Sequence, residues 1–517
     1  MLLNCRLSLK IFLLSLCLVA GLGSAVLAAE KVLNVAGPWG PKTLDIQKTG
    51  YVFKRLGVTE SLIEVGQDLE LKPGLAESWT VSPDKTTWTF TIRKGVKFHD
   101  GTALKAGAIK SCLERLQSKG SLFKAVPLKS ITAPDDRTLV LTTSEPFAPL
   151  GAYLSMGETS PLAPSSFDSS GEVVNPVGTG PFAFESWKVK DHVVVKRNPI
   201  YWGEKAKVSK VVYRGVPNAI TRLGLLRAGE LDIAMILPPD AVASLQKSDK
   251  YQVFRTPIGR CRMVALNMAE GPFSDLQVRK AANMAVNRDD LVRYVLEGMG
   301  DSATTLYPPM IYWANDKIKG FHFDQAGAKK LLEQAGWKDA DGDGIREKNG
   351  KPLKVKLVTY PERAALPPTA EVMQAQLREV GFDVELVVTQ VDAAQALRSK
   401  GDFDMFLVGR GLLFVPDPDY NLMKDYYSVN TAKDSGWGAY RFSNAKVDEL
   451  LFEGRKVFKQ SERKAIYDQV QTLLMEEVPM MYLNYYVNVD AVAKDVEGYT
   501  MHPTESSYHL ETVTLNR

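Results

Sequence analysis

The sequence predicts a mixed α/β protein in which two lobes are joined by a hinge, and three observations lead to this prediction. The first third of the 517-residue chain is rich in alternating, strand-like segments. After about residue 260, strand and helix patterns alternate, which is typical of a sheet with parallel crossovers. The chain then closes with extended sequence, so we expect it to return to the first lobe, and two crossings between lobes make a hinge.

The first 28 residues match a secretory signal peptide. Arg6 and Lys10 give a positive start, and an apolar run follows that ends in small residues before a plausible cleavage after Ala28. Gly21 and Gly23 interrupt this run and no stop-transfer cluster follows, which disfavours a membrane anchor. No later segment approaches the roughly 18 uninterrupted apolar residues that span a bilayer. We expect an exported, soluble protein.

The charge balance disfavours a nucleic-acid partner. Without residues 1–28 the chain keeps 62 basic and 60 acidic residues, which leaves no basic surface of the kind that binds nucleic acid. Two cysteines remain, Cys112 and Cys261, and whether they form a disulfide stays open. A chain of this length is expected to form two or three domains.

The first lobe begins with a strand at 31–36. Residues 75–104 alternate in the manner of antiparallel strands that turn at Pro83 and Asp84. A helix at 105–118 and strands within 135–147 and 191–203 follow.

The second lobe has the stronger α/β pattern. Asp324 caps a helix that Gly336 ends. Further strands are predicted at 353–360, 382–388 and 403–409, and helices at 369–381, 392–400 and 461–478, with extended sequence from 480 onwards.

Motifs for catalysis are lacking. There is no G-x-S-x-G, H-E-x-x-H or C-x-x-C sequence, so nothing indicates an enzyme, although a secreted hydrolase stays an alternative because triads scatter along a chain. Residues 339–350 begin like a calcium loop but carry Gly350 where a bidentate glutamate is required. A solvated turn is the better interpretation, and calcium binding there stays open.

His502 and His509 are spaced H-x6-H, which fits no helical metal motif.

Several segments resemble the extracellular solute-binding proteins of family 5, the peptide/nickel-type receptors of ABC importers. The segments are AESWTVSPDKTTWTFTIRKGVKFHDGTALKA (76–106), NPVGTGPFAFESW (175–187), LNMAEGPFSDLQVRKAANMAVNRDDLV (266–292), AKKLLEQAGWKDADGDGIREKNGKPL (328–353) and YRFSNAKVDELL (440–451). The resemblance covers essentially the whole mature chain, in order.

The resemblance implies a type II periplasmic-binding-protein fold with an extra β-rich subdomain. Lobe I would comprise residues 29–49, 176–257 and 487–517, with the insert at 50–175, and lobe II would comprise 258–486. A ligand held between the lobes would favour the closed form through contacts that the open form lacks. The resemblance further implies a periplasmic, monomeric receptor without a cofactor, whose partners are a small ligand and the permease subunits of an ABC transporter.

The identity of the ligand is less clear, because the chain departs from the family's patterns. In peptide-binding members an aspartate that pairs with the peptide's amino group matches Phe414, and an ammonium buried without a carboxylate is costly. In nickel-binding members a tryptophan matches Leu412 and an arginine matches Arg410. Asp417 and Asp419 are expected to cap a helix rather than bind ligand.

The predicted ligand-binding residues are therefore Tyr51, Arg55, Arg410, Leu412, Phe414 and Trp437, with His502 as the single protein ligand of a chelated metal. Arg55 and Arg410 are suited to clamping carboxylates, although each is equally suited to a structural ion pair. A nickel chelate is the first hypothesis for the cargo. A short peptide or an opine-like conjugate of an amino acid remains an alternative.

Overall fold

The structure is a computed structural model that describes residues 30–49, 51–118, 122–433 and 437–517. The signal peptide predicted at 1–28 lies outside the described residues. Within the described part of the chain, no helix has the length and apolar character that a membrane crossing requires.

Twenty strands are found in the described residues. They are β1 Val32–Gly37, β2 Ile63–Val65, β3 Leu71–Pro73, β4 Ala76–Val81, β5 Thr87–Ile92, β6 Leu128–Thr132, β7 Thr138–Thr143, β8 Phe182–Lys188, β9 His192–Arg197, β10 Lys210–Gly215, β11 Ile233–Ala234, β12 Tyr251–Leu266, β13 Glu347–Lys348, β14 Lys351–Pro352, β15 Lys354–Thr359, β16 Asp383–Val388, β17 Met405–Gly411, β18 Met480–Ala493, β19 Val496–Glu497 and β20 Thr514–Leu515.

Helices cover the sheets. They are α1 Ile46–Thr49, α2 Tyr51–Arg55, α3 Ala106–Ser118, α4 Leu150–Tyr153, α5 Ala219–Arg227, α6 Val242–Gln246, α7 Leu276–Ala285, α8 Arg288–Asp290, α9 Gln325–Gln334, α10 Leu366–Arg378, α11 Val391–Lys400, α12 Pro418–Tyr426, α13 Ser428–Ala432, α14 Ala445–Gly454 and α15 Gln460–Glu477. Short 3-10 helices lie at Leu122–Ala125, Gly157–Thr159, Pro164–Ser166, Pro239–Ala241, Pro272–Ser274 and Leu510–Thr512, and a π-helical turn at Leu291–Val295.

A ten-stranded sheet runs through the molecule in the order β16-β15-β17-β12-β18-β11-β1-β10-β9-β8. At one end β15 pairs in parallel with β16 and with β17, as the strand–helix–strand pattern predicted. At the other end β1 pairs in parallel with β10 and β11. The long antiparallel strands β12 and β18 connect the two ends.

The pairing of β12 with β18 changes register in the middle. Residues up to Pro257 pair with β18 residues from Val487 onwards, and Cys261 resumes the pairing at Tyr485. The first half of β12 thus belongs to the end that contains β1, and the second half to the end that contains β15. This irregularity coincides with the lobe boundaries proposed from the sequence, which themselves stay a prediction.

A separate four-stranded antiparallel sheet, in the order β4-β5-β7-β6, forms the centre of the insert. Every second side chain of β5 is buried, as its alternating sequence requires. The hydrophobic core of the insert consists of residues between Leu62 and Val177 together with Val415 and Tyr420. The insert therefore also packs against the segment that follows β17.

Two further clusters correspond to the two ends of the large sheet. One contains buried residues between Cys261 and Tyr485, and the other joins β1 to the C-terminal segment. Val52 and Phe53 belong to the β1 cluster rather than to that of the insert.

The sequence located most elements but not all their ends. The strand after Pro83 ends at Ile92 rather than continuing beyond Lys94, and the helix expected at 369–381 begins three residues earlier, at Leu366. Asp324 caps α9 by accepting the amide hydrogen of Gly327, as predicted.

Glu60 is a carboxyl group held in the interior by neutral donors. The hydroxyl of Tyr201 donates to Oε1 at 2.8 Å, and the hydroxyl of Thr179 and the indole N–H of Trp202 donate to Oε2 at 2.7 and 3.0 Å. Burial raises the pKa of Glu60 to about 7, because these hydrogen bonds only partly replace the lost hydration.

Candidate ligand-binding site

A cavity of about 240 Å³ opens between the two ends of the large sheet. It is lined by Trp39, Tyr51, Arg55, Arg260, Tyr360, Glu362, Arg363, Val391, Gly409, Arg410, Gly411, Phe414 and Trp437. Because β15 and β17 are parallel neighbours, their carboxyl ends meet at one edge of the sheet, and the residues that follow both strands face this cavity. The segment after β1 and helix α2 supply the opposite wall.

Arg55 projects into the cavity from α2 and is buried. Its guanidinium lies over aromatic rings, 5.0 Å from the centroid of Tyr51 and 5.7 Å from that of Tyr508. Its Nε has no hydrogen-bond partner, and no carboxylate of the described residues lies within 4.0 Å of it. Arg55 is therefore a buried cation without a direct ion pair among the described residues, although the charge of Glu505 acts on it.

Arg363 is the second such cation, and it comes from the opposite wall. It is buried, its Nη1 has no partner, and no carboxylate in the described part of the chain lies within 4.0 Å. Its guanidinium lies over the rings of Trp39 and Tyr486, at 4.8 and 5.4 Å. Sequence reasoning missed Arg363, although its position directly after a predicted strand of a parallel sheet was a usable signal.

Arg260 is paired. It donates from Nε and Nη2 to Oε2 of Glu505, at 3.2 and 2.5 Å, and from Nη1 to the carbonyl of Gly409 at 2.9 Å. Burial alone would raise the pKa of Glu505, but the charges of Arg260, Arg363 and Arg55 outweigh it and lower this pKa to about 2. Glu505 is therefore ionised; it pairs directly with Arg260, and its charge also acts on Arg363 and Arg55.

Arg410, predicted as a carboxylate clamp, is also paired. Its Nε and Nη2 donate to the two carboxylate oxygens of Asp425, at 2.7 and 3.0 Å, and both side chains are buried. Of the two roles that the sequence left open for Arg410, the contacts favour the structural ion pair, although the side chain still lines the cavity.

The structure brings together most of the other predicted ligand-binding residues. Tyr51, Phe414 and Trp437 line the cavity, and Tyr51 and Phe414 remain 38% and 41% exposed. Leu412 is different, because it is buried in the core and does not line the cavity. Its amide donates to the carbonyl of Gly259 and its carbonyl accepts from Asn421. This placement does not support a ligand contact for Leu412.

His502 lies outside the cavity lining, and both its ring nitrogens are engaged. Nε2 lies 3.0 Å from the carbonyl oxygen of Val65, and Nδ1 lies 2.7 Å from the hydroxyl oxygen of Thr504. Burial is the main reason that the pKa of His502 is lowered to about 4, so the ring is neutral. The rings of His502 and His509 lie next to each other, with centroids 5.5 Å apart. Metal ligation by His502 stays a prediction that these contacts do not support.

Asp417 and Asp419 behave differently from each other. Asp417 caps α12 by accepting the amide hydrogen of Asp419, as predicted, and also pairs with Arg463. Asp419 does not cap the helix but forms a buried ion pair with Arg455. Neither carboxylate is therefore free for a ligand's amino group.

The acidic turn at 339–350 gathers four carboxylates, from Asp339, Asp341, Asp343 and Glu347, within 4.8 Å of one another. Each accepts hydrogen bonds from backbone amides of the turn itself, and the three aspartates are exposed. These contacts match the interpretation as a solvated turn.

Cys112 and Cys261, for which the sequence left a disulfide open, are free and buried.

Glu362 is the carboxylate of the cavity that the sequence did not indicate. Its Oε1 accepts the amide hydrogen of Val391 at 3.0 Å, whereas Oε2 is buried without a partner. The cavity thus combines two unpaired cations, one carboxylate with a free oxygen, and aromatic walls.

Comparison with known proteins identifies the family to which this architecture belongs. The model of the bacterial extracellular solute-binding proteins, family 5, middle region, matches residues 70–433. The nickel-binding periplasmic protein of Escherichia coli (strain K12) is 30% identical over 487 residues, which cover 91% of this chain and 92% of that protein. The glutathione-binding protein GsiB of Shigella dysenteriae serotype 1 (strain Sd197) is 29% identical over 470 residues, or 88% of each chain.

A solved structure gives the same result. NikA from Brucella suis in complex with Fe(III)-EDTA superposes with a TM-score of 0.83 and 28% sequence identity, and the match covers 94% of this chain and 99% of that chain. The fold is therefore the type II periplasmic-binding-protein fold that the sequence predicted.

Proposed function

The chain belongs to the bacterial extracellular solute-binding proteins of family 5, and from this premise we propose that it captures a small ligand with at least two carboxylate groups, a nickel chelate being the first candidate. Proteins of this family are receptors of ABC importers and not enzymes, so the alternative of a secreted hydrolase is wrong. We further propose that the receptor acts in the periplasm, as a monomer, and delivers its cargo to a permease.

The observation that supports this cargo most is the pair formed by Arg55 and Arg363. Both are buried, both line the cavity, and neither has a carboxylate partner among the described residues. An unpaired buried charge is costly, and an arginine binds a carboxylate through two parallel hydrogen bonds. A ligand with two carboxylates would satisfy both cations.

The two arginines also lie on opposite walls. Arg55 belongs to α2, packed with the β1 end of the sheet, and Arg363 follows β15 at the other end. A ligand that bridges them makes contacts that exist only when the two ends are close, and such a ligand favours the closed form. The register change of β12 and β18 supplies a place for the hinge between the proposed lobes.

The size of the cavity favours a small cargo. A volume of about 240 Å³ is below the range of about 300–1,000 Å³ that is usual for ligand pockets, so a long peptide does not fit this form. The aromatic walls suit a compact ligand whose apolar or planar parts stack on Trp39, Phe414 and Trp437.

A metal chelate is placed first because two of the similar proteins are associated with a metal, one by its name and one by the Fe(III)-EDTA in its structure. The described residues that line the cavity include no histidine, cysteine or methionine, so the chelator itself would supply most metal ligands. A short anionic peptide or an opine-like conjugate would satisfy the same arginines and is the second candidate.

Native mass spectrometry of the protein purified from its own host tests the proposal. We expect a stoichiometric adduct of low mass that is rich in carboxylates, together with one nickel per protein by elemental analysis. A metal-free adduct would select the second candidate. An adduct without carboxylates would contradict the proposal for the cargo.

A further inference from the structure

Glu362 is the one acidic residue among the described residues that line the cavity, and its two oxygens differ. Oε1 accepts the amide hydrogen of Val391, the first residue of α11, at 3.0 Å. Oε2 is buried and has no hydrogen-bond partner. A buried acceptor without a donor costs about 1–3 kcal/mol, so its presence in a cavity of this kind points to a partner that the ligand brings.

None of the arginines that line the described cavity supplies the missing donor to Oε2 of Glu362. Four of them line it, yet in the described part of the chain none lies within 4.0 Å of Glu362. Arg260 and Arg410 are neutralised by Glu505 and Asp425, neither of which lines the cavity. The fold therefore supplies separate acids for two arginines and leaves Glu362, in the same lining, without an arginine partner among the described residues.

The orientation of Glu362 is fixed by α11. The N-cap residue Gln390 makes no side-chain capping bond, so Oε1 of Glu362 satisfies the free amide of Val391 at this helix start. Glu362 is thus held in place through Oε1, while its buried Oε2 has no hydrogen-bond partner among the described residues.

We propose that Glu362 recognises a positive centre of the ligand, at a distance from the carboxylates that Arg55 and Arg363 bind. This inference rests on the proposed function, because it concerns the same cavity. The positive centre is either a metal ion within a chelate, to which Oε2 adds one ligand, or the ammonium group of an amino-acid conjugate. The rings of Tyr360 and Trp437 belong to the same lining and pack edge to face with centroids 5.9 Å apart, and an aromatic face that the ligand reaches would attract a cation in either case.

The substitution Glu362→Gln tests this inference, since the amide oxygen still accepts from Val391 while the negative charge is lost. Two pairs of probes differ only in a positive centre: nickel citrate against citrate, and L-glutamate against glutarate. We expect Glu362→Gln to weaken the binding of nickel citrate or of L-glutamate at least tenfold in calorimetric titrations. The binding of citrate and glutarate is expected to stay equal or to become tighter, because a repulsion is removed.

The pair that responds identifies the source of the positive centre. Asp392→Asn is the matched control, because it removes one negative charge from the first turn of α11, the helix that Glu362 contacts, at a residue outside the cavity lining that is 85% exposed. An equal effect of Glu362→Gln on both members of each pair would overturn the inference while leaving the proposed function intact. A wild-type protein that binds none of the four probes would overturn both.

Discussion

The guanidinium of Arg363 lies over the indole ring of Trp39, 4.8 Å from its centroid, across the cavity. Trp39 follows β1 and Arg363 follows β15, so the contact joins the two ends of the large sheet. The attraction between a cation and an aromatic face is about 0.5–2 kcal/mol. This contact therefore stabilises the closed form in addition to any stabilisation that a ligand provides.

Replacing Trp39 by alanine is expected to shift the ligand-free protein towards an open form. The loss of about 0.5–2 kcal/mol corresponds to a two- to thirtyfold weaker apparent affinity, because a smaller fraction of the protein is competent to bind. Loss of the surface on which we propose that the ligand stacks weakens binding further. Small-angle scattering of the ligand-free protein and calorimetry measure the two effects. An unchanged radius of gyration together with an unchanged affinity would contradict this expectation.

The substitutions Arg55→Lys and Arg363→Lys keep the charge but remove the planar fork of donors. We expect each to weaken ligand binding about 10- to 100-fold, with the free energy of unfolding nearly unchanged, because neither arginine holds a carboxylate of the described protein. Arg214→Lys, at an ion pair with Glu230 and outside the cavity lining, is the control and should bind normally. Normal binding by both test variants would refute the two-carboxylate model.

Asp425→Asn tests whether Arg410 is structural. Breaking a buried ion pair leaves one uncompensated charge, so we expect the free energy of unfolding in urea to fall by about 3–5 kcal/mol. The double variant Arg410→Met with Asp425→Leu should recover much of this loss. If instead Arg410→Met unfolds like the wild type and fails to bind ligand, Arg410 is a ligand clamp, as the sequence first suggested.

Glu60 predicts a pH dependence of stability. Its pKa is raised to about 7 in the folded protein, so the folded state binds a proton more tightly than the unfolded state does. Its contribution is complete below the unfolded pKa of about 4.3 and is lost as the pH rises to about 7, a change on the order of 3 kcal/mol.

The difference between wild type and Glu60→Gln isolates this contribution from those of other groups. Urea unfolding at pH 5, 6, 7 and 8 should show the wild type losing stability relative to the variant up to about pH 7, with a constant difference above. A difference that is independent of pH would show that Glu60 titrates normally.

His502→Ala separates a structural role from a metal role. Because both ring nitrogens have protein partners, we expect a loss of about 1–3 kcal/mol in the free energy of unfolding and no change in the metal content of the loaded protein. The hypothesis drawn from the sequence requires instead that the nickel-bearing adduct is lost in this variant. Elemental analysis of both proteins, loaded in parallel, decides between them.

The sequence predicted the fold more completely than the site, for a physical reason. Alternation along β5 and the strand–helix order around β15 are local patterns, and each follows from which side chains must be buried. The extent of the strand after Pro83 was overestimated, because Arg93 and the residues after it form a turn that periodicity does not reveal.

The site depends on contacts between distant segments. Arg410 was named as a ligand-binding residue, but its partner Asp425 could be recognised only in the folded chain. Arg363 and Glu362 stand next to each other after β15 and were both missed, since an ordinary Glu-Arg pair in a sequence usually lies in solvent. Only the folded chain, in which Arg363 packs on Trp39 and both Glu362 and Arg363 line the cavity, shows that this turn faces the cavity.

At the change of register in β12, Gly259 fits closely against Leu413, and a methyl group there would come within 2.2 Å of that side chain. The carbonyl oxygen of Gly259 accepts the amide hydrogen of Leu412, and the amide of Gly259 donates to the carbonyl of Pro503. Backbone hydrogen bonds thus hold Gly259 against both neighbouring segments. If the two ends of the large sheet move relative to each other, we expect the movement to be a bend at this register change, within a sheet that both ends share.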